Sequence, residues 1–295
     1  MADDFLIVGH RGARGLYPEN TIEGFRSALA LGLKCFEIDI AVTADGVPVL
    51  YHDLLLNPDI TRDSGGIWLK RPGPPIRALR LPELGQFDVG RIRPGSQYAA
   101  RYPDQHPVDG ARIPTLTAVL AMASEAWFAI ELKTDPTRAK LTVSGPEMAE
   151  RVLAVAEAAG AVGRICVQSF DWRGPRHLRR VRPGIPLAWL TEPKTIAAAS
   201  TWWGVERGER SVPETIASEG GGIWTPENAS LERTALAQAC ALGLKVIPWT
   251  VNEPSDMIRL REWGAAGLTT DRPDLAMVAL GQADVSGEPV PTPPA

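Results

Sequence analysis

The sequence predicts an α/β fold with a parallel sheet. Three observations lead there. Eight short apolar runs are spread along the chain, at 5–9, 35–40, 127–131, 164–168, 186–190, 221–225, 244–249 and 266–270. Stretches of helical periodicity separate most of them. The 295 residues, 44 % apolar and 22 % charged, suffice for one large core. Strands that alternate with helices pack as a parallel sheet covered on its faces. Eight of them fit a closed (β/α)8 barrel, with a doubly wound open sheet as the alternative.

The first run, Phe5-Leu6-Ile7-Val8, reads as a buried parallel strand. Gly9, Gly12 and Gly15 follow, so the loop after it can bend sharply. His10 and Arg11 then stand at the strand's C-terminal end. Asn20-Thr21 is a helix N-cap signal, with Ile22, Phe25, Ala28 and Leu29 as the apolar stripe and Gly32 as the stop.

Glu37 and Asp39 are two apart on the second strand, so both side chains share one face. Cys35, Phe36, Ile38 and Ile40 around them are apolar, which predicts burial. Buried carboxylates need a metal or a cation, whereas a solvated acidic face would need neither. Asp45-Gly46 signals a hairpin. With a two-residue turn, Ala44 pairs with Val47, and His52 on the returning strand at 47–52 lies opposite Asp39. A bulge or a three-residue loop would shift that register by one. The returning strand is an accessory to the eight.

Residues 54–112 break the alternation, with Arg71-Pro72-Gly73-Pro74-Pro75 and Arg91-Ile92-Arg93-Pro94-Gly95 among them. So long a structureless loop is unusual. A small inserted cap subdomain over the barrel mouth is expected, with a short helix at 81–87. Its arginines and aromatics either face the site or form a passive cover. The next strand ends Glu131-Leu132-Lys133, whose outer two residues share a face and suggest a third metal oxygen and a phosphate contact.

Helical patterns follow at 146–159, 172–181, 232–242 and 254–263, with a short helix at 211–218. Trp202 and Trp203, with Trp189 and Trp224, either line the mouth or pack in the core. The Pro-rich stretch 283–295 predicts a disordered tail, leaving 1–282 as a single catalytic domain.

Net charge −4 and a pI near 5.7 give no basic footprint for nucleic acid. No stretch reaches the ~18 apolar residues of a membrane helix, so no stable membrane insertion is expected. The start, Met-Ala-Asp-Asp-Phe, lacks the pattern of a signal peptide, which predicts a cytoplasmic protein. Cys35, Cys166 and Cys240 sit in apolar contexts and read as buried thiols of a reducing compartment. Nothing in the pattern specifies an oligomeric state.

Taken together, the motifs resemble the glycerophosphodiester phosphodiesterase family. They are His10-Arg11-Gly12, Pro18-Glu19-Asn20-Thr21, Glu37-x-Asp39, Thr43-x-Asp45-Gly46 continuing to His52-Asp53, and Glu131-x-Lys133. Ile113-Pro114-Thr115-Leu116, Gln168-Ser169-Phe170, Trp249 to Asn252 and Thr270-Asp271 extend the resemblance from about residue 5 to about 280. It implies a (β/α)8 barrel with an early insertion. It implies Glu37, Asp39 and Glu131 as ligands of one divalent cation, and His10 and His52 as the acid/base pair. Arg11 and Lys133 would contact phosphate, and Trp249 would lie near the glycerol end of the substrate. At Gln168, Asn252 and Asp271 it leaves two readings, a site role or stabilisation of the rim.

An all-oxygen ligand set suits Mg²⁺ or Ca²⁺. The implied activity is hydrolysis of small glycerophosphodiesters to glycerol 3-phosphate and an alcohol, in lipid and glycerol metabolism. A phospholipase D-type enzyme acting on lysophospholipids or sphingolipids with the same residues is the alternative. An inert barrel serving as a scaffold is the reading from another class; its mark would be a missing acid or histidine, and none is missing.

Overall fold

The computed structural model describes residues 5–282, so the tail expected at 283–295 lies outside the described residues. Nine strands form one sheet: β1 (Leu6–His10), β2 (Cys35–Val42), β3 (Pro48–Leu50), β4 (Trp127–Leu132), β5 (Ile165–Ser169), β6 (Leu187–Thr191), β7 (Ile223–Pro226), β8 (Lys245–Val246) and β9 (Gly267–Thr270). Eight of them run parallel in the order β8-β7-β6-β5-β4-β2-β1-β9, and β3 hangs antiparallel from β2. Hydrogen bonds join the two ends of that order: Ala266 N–H to the Val246 carbonyl at 2.9 Å and Thr269 N–H to the Pro248 carbonyl at 2.8 Å. Val251 N–H closes the seam from the other side onto the Thr269 carbonyl at 2.9 Å. The sheet is therefore a barrel and not an open doubly wound sheet.

Seven strands fall within two residues of their expected positions at either end. The exception is 244–249, where only Lys245–Val246 forms a regular ladder. Pro248 has no N–H to give to a neighbour, so the chain there pairs through single bonds. Helices lie at Gly145–Ala158, Arg173–Val181, Val212–Ser218, Arg233–Ala241 and Pro254–Glu262, as the periodicity predicts to within a residue or two. The first helix, Ile22–Ala30, is capped by Thr21, whose hydroxyl accepts from Gly24 N–H at 3.0 Å.

The core fills the space between strands and helices. Phe36 and Phe128 pack against Phe25 of the first helix, with the Phe25 and Phe36 rings edge to face at 5.5 Å. Trp172 and Trp203 stack in parallel at 4.1 Å. Trp189 and Trp224 are buried in the same core. Of the four tryptophans weighed for the mouth, only Trp202 lines the cavity described below. Cys240 is exposed, against the expectation of burial; Cys35 and Cys166 are partly buried, and all three are free thiols.

The hairpin register differs from the two-residue prediction. Thr43 N–H donates to the Val47 carbonyl, and Ile40 faces Leu50. The loop therefore has three residues, Ala44-Asp45-Gly46. Gly46 adopts φ +84°, the left-handed turn that such a loop requires. The shift places Tyr51, not His52, beside Asp39, with Tyr51 N–H on the Asp39 carbonyl at 3.0 Å.

The segment after β3 builds a second core from Val49, Tyr51, Leu56, Ile76, Leu84 and Ile113, among others. It holds helices at Leu81–Leu84 and Gln97–Arg101. The first is shorter than the expected 81–87, because Gly85 ends it. Arg62 ties the segment together through Asp88.

Candidate active site

Strand direction puts the functional residues at one end of the barrel, the C-terminal face. β1 delivers His10 there, and the chain then turns back in a left-handed residue, Arg11, at φ +54°. Close approach makes the turn possible: a Cβ on Gly9 would come within 2.0 Å of the Gly12 carbonyl oxygen. The backbone N–H of Arg11 donates to Glu37 Oε2 at 3.1 Å. Its guanidinium reaches Glu19 Oε1 at 2.8 Å and Asp39 Oδ2 at 3.1 Å.

Glu37 and Asp39 project from β2, and Glu131 from β4 beside it, with Asp39 and Glu131 level in the ladder. One oxygen from each of the three lies within 4.8 Å of the others. Lys133 Nζ donates to Glu131 Oε1 at 2.6 Å and stands 3.6 Å from Asp39 Oδ1. Asn20 Nδ2 donates to Asp39 Oδ2 at 2.9 Å.

The electrostatics are frustrated. Burial and the neighbouring carboxylates push Glu37 well above the usual carboxylate range, and burial raises Glu131. At Asp39 burial acts upward but the Arg11 and Lys133 charges more than reverse it. Glu37 Oε1 and Asp39 Oδ1 are buried without any hydrogen-bond partner. Orphaned, crowded carboxylate oxygens fit a hard divalent cation, which would supply the missing partner.

Both histidines are backed by an aspartate. His10 Nδ1 lies 2.7 Å from Asp271 Oδ1, and His52 Nδ1 lies 2.7 Å from Asp53 Oδ1. A carboxylate only accepts, so each ring donates from Nδ1 and keeps Nε2 for chemistry. His10 Nε2 stands 3.8 Å from Glu37 Oε2. Burial first, then the Arg14 cation, lower His10 to about 4. His52, a third exposed, is lowered by its partial burial and then by Arg11 and Lys133.

Asp271 is itself clamped. Arg14 grips it with Nε and Nη2 at 2.9 and 3.2 Å, and Asn252 Nδ2 donates to it at 2.9 Å. Of the two readings left for these residues, the geometry joins both: Asn252 braces the rim, and Asp271 contacts His10. Arg14 escaped the sequence reading. Its signal was a second arginine after His10 in a glycine-rich loop, which by itself indicates nothing.

His10, Arg11, His52, Glu131, Lys133 and Trp249 all open on one cavity of about 820 Å³. Trp249 meets Phe170 edge to face at 5.5 Å and donates its Nε1–H to the Thr225 carbonyl. Gln168 also lines this cavity. On the opposite side the inserted segment contributes Tyr98, Arg101 and Tyr102. Tyr98 donates its hydroxyl to Glu19, the partner of Arg11, and Arg14 lies 4.7 Å from the centre of the Tyr102 ring. Nothing in the sequence pairs residue 98 with residue 19, so that link is visible only in the folded chain.

Residues 10–275 match the family model described as the glycerophosphoryl diester phosphodiesterase family. A glycerophosphodiester phosphodiesterase of Bacillus subtilis (strain 168) is 28 % identical, with 92 % of this chain and 85 % of the relative covered. A crystal structure from Silicibacter pomeroyi DSS-3, provisionally assigned as a glycerophosphoryl diester phosphodiesterase, superposes with a TM-score of 0.87. It is 34 % identical over 96 % of this chain and 95 % of the other. A phosphodiesterase from Oleispira antarctica, solved with the product sn-glycerol-3-phosphate, shares the fold at a TM-score of 0.70 and 21 % identity. It covers 94 % of this chain and 96 % of its own. The chain therefore belongs to the glycerophosphoryl diester phosphodiesterase family, a family of phosphoric diester hydrolases.

Proposed function

We propose that the protein hydrolyses glycerophosphodiesters to glycerol 3-phosphate and an alcohol, with a divalent cation and two histidines. One observation carries the reading: three clustered carboxylates, two of them (Glu37 and Asp39) with an orphaned oxygen, stand at a cavity lined by two aspartate-backed imidazoles. Glu37, Asp39 and Glu131 would hold Mg²⁺ or Ca²⁺. Bound there, the ion would neutralise charge on the phosphodiester and polarise its phosphorus.

The chain's own groups do the rest. Arg11 and Lys133 hold the phosphate oxygens and share the charge that grows during attack. Of His10 and His52, one takes the nucleophile's proton at Nε2, and the other gives a proton to the departing alkoxide. Asp271 and Asp53 keep the rings in the tautomer that leaves Nε2 available. Phe170 and Trp249 shield the glycerol end from water.

The lipid-cleaving alternative has one feature in its favour, the apolar run Leu54-Leu55-Leu56 with Pro58 and Pro72 on the cap side of the cavity. The charged floor favours small deacylated diesters. The test is alcohol release from glycerophosphocholine and glycerophosphoethanolamine with Mg²⁺, with Ca²⁺ and with chelator, beside lysophosphatidylcholine. Metal-dependent release from the deacylated diesters, lost in His10→Ala, is the expected result. Release from the lysolipid alone would transfer the assignment to the alternative.

A further inference from the structure

Among the charged groups of the cavity with no task in the chemistry above, Glu192 is the informative one. Glu192 follows β6 at the C-terminal rim and lines the cavity shared by His10 and Lys133. Its backbone is fixed by both its polar groups: the N–H donates to Thr195 Oγ1 at 3.1 Å, and the carbonyl accepts from Thr195 N–H at 3.0 Å. Its carboxylate has no hydrogen bond and no ion pair among the described residues. Partial burial holds it above the ordinary carboxylate range. An uncommitted carboxylate repels an anionic ligand unless that ligand brings donors to it.

The neighbouring groups say which donors. Thr191, before Glu192, accepts from Glu227 N–H at 2.9 Å, and Glu227 bridges to Trp249. On β7, Thr225 is 5 % exposed and its Oγ1 has no partner. The Thr225 carbonyl takes the Trp249 indole N–H, so the Phe170–Trp249 wall adjoins it. This sector of the rim thus offers a carboxylate, a spare hydroxyl and an apolar wall. A vicinal diol on a short carbon chain is the complement, with O–H donors for the oxygens and C–H groups for the rings.

We propose that Glu192, which lines the same cavity as Thr225, recognises the free hydroxyls of the substrate's glycerol and so restricts the site to deacylated diesters. The inference rests on the phosphodiesterase reading and adds a residue that sets its substrate range. An acyl ester on the glycerol removes one of the two hydroxyl donors. A cationic head group is the other ligand a carboxylate could take. Here Lys194 and Lys133 both act on Glu192, and the Lys194 ammonium already lies 5.3 Å from the centre of the Trp202 ring. A trimethylammonium would meet two like charges and a covered aromatic face.

The test compares wild type, Glu192→Ala and Glu192→Gln. Substrates are glycerophosphocholine, glycerophosphoethanol, whose head group is uncharged, and bis(4-nitrophenyl) phosphate, which has no glycerol. Glu192→Ala should lower the ratio of kcat/KM for the glycerol diesters over the nitrophenyl diester about 10- to 100-fold. The loss should be equal for both head groups and smaller in Glu192→Gln, whose amide oxygen still accepts. Calorimetry gives the same split without turnover: wild type should bind glycerol 3-phosphate more tightly than inorganic phosphate, and Glu192→Ala should lose that preference. An unchanged ratio with an unchanged preference overturns the inference. A loss confined to glycerophosphocholine assigns the carboxylate to the head group and also overturns it. Wild-type protein that cleaves none of the three diesters, yet prefers glycerol 3-phosphate through Glu192, sinks the phosphodiesterase reading and leaves the polyol site standing.

Discussion

At His10 the ring is aimed by a carboxylate 261 positions away in sequence. Asp271 can do this because Arg14 and Asn252 hold it from two sides. Removing either imidazole, as His10→Ala or His52→Ala, should lower kcat at least ~10²-fold. Asp271→Asn keeps the shape but changes the hydrogen bond that selects the tautomer. It should lower kcat by roughly 10-fold or more with KM little changed; a rise in KM alone would place Asp271 in substrate binding. Asp53 supplies a pH dependence. Its burial raises the carboxyl, but hydrogen bonding and charge from His52, then Arg11 and Asn57, bring it down to about 2. The stability this confers is complete above the ordinary value of 3.8 and is lost as the pH falls through about 2. Urea titrations between pH 5 and 2 (roughly the window of that shift) should show wild type losing stability more steeply than Asp53→Asn.

At the scale of elements the hairpin is the instructive case. Asp45-Gly46 marks a turn in any reading, but turn length depends on whether Ala44 joins the strand or the loop. Thr43 decides it: its hydroxyl donates to Asp45 and accepts Val47 N–H at 2.9 Å, which closes a three-residue loop. His52 then follows the end of β3 and reaches the cavity from the coil, held by Asp53 and its partner Asn57. Gly46→Ala forces a side chain into the left-handed region, where Arg151 Nη1 already stands 2.6 Å from the new Cβ. The variant should lose about 1 kcal/mol or more in urea unfolding. A variant as stable as wild type would mean that the loop relaxes into another turn.

For the whole molecule, the carboxylate cluster links binding to stability. β2 and β4 bring three carboxylates together, and an ion bound there would remove their mutual repulsion. An ion present at 100 times its Kd adds about 2.7 kcal/mol, on the order of 5 °C in Tm for a chain of this size. Calorimetry with Mg²⁺ or Ca²⁺ should show the rise, chelator should reverse it, and Asp39→Asn should abolish it. An equal rise in that variant would place the ion elsewhere. Thiol reactivity reads the fold independently. Cys240 is exposed, whereas burial pushes the Cys166 thiol up to about 12. A disulfide reagent should label Cys240 first and Cys166, partly buried and with a raised thiol pKa, more slowly.

The sequence by itself determined the strands, the helices and the residue types at the strand ends. Period-2 and period-3.6 patterns record local burial, and Glu37, Asp39, Glu131 and Lys133 lie on strands whose alternation fixes their face. The turn signal likewise gave the hairpin before His52, but the two-residue register that set His52 opposite Asp39 did not hold. The tertiary structure alone decided what those side chains touch. Closure of the barrel brought β9 against β1 and so Asp271 against His10. Packing of the inserted segment brought Tyr98 to Glu19, and the turn of the chain after β6 set Glu192 in the cavity. These contacts join residues far apart in sequence. Local periodicity carries no record of such pairs, because only the closed barrel makes them neighbours.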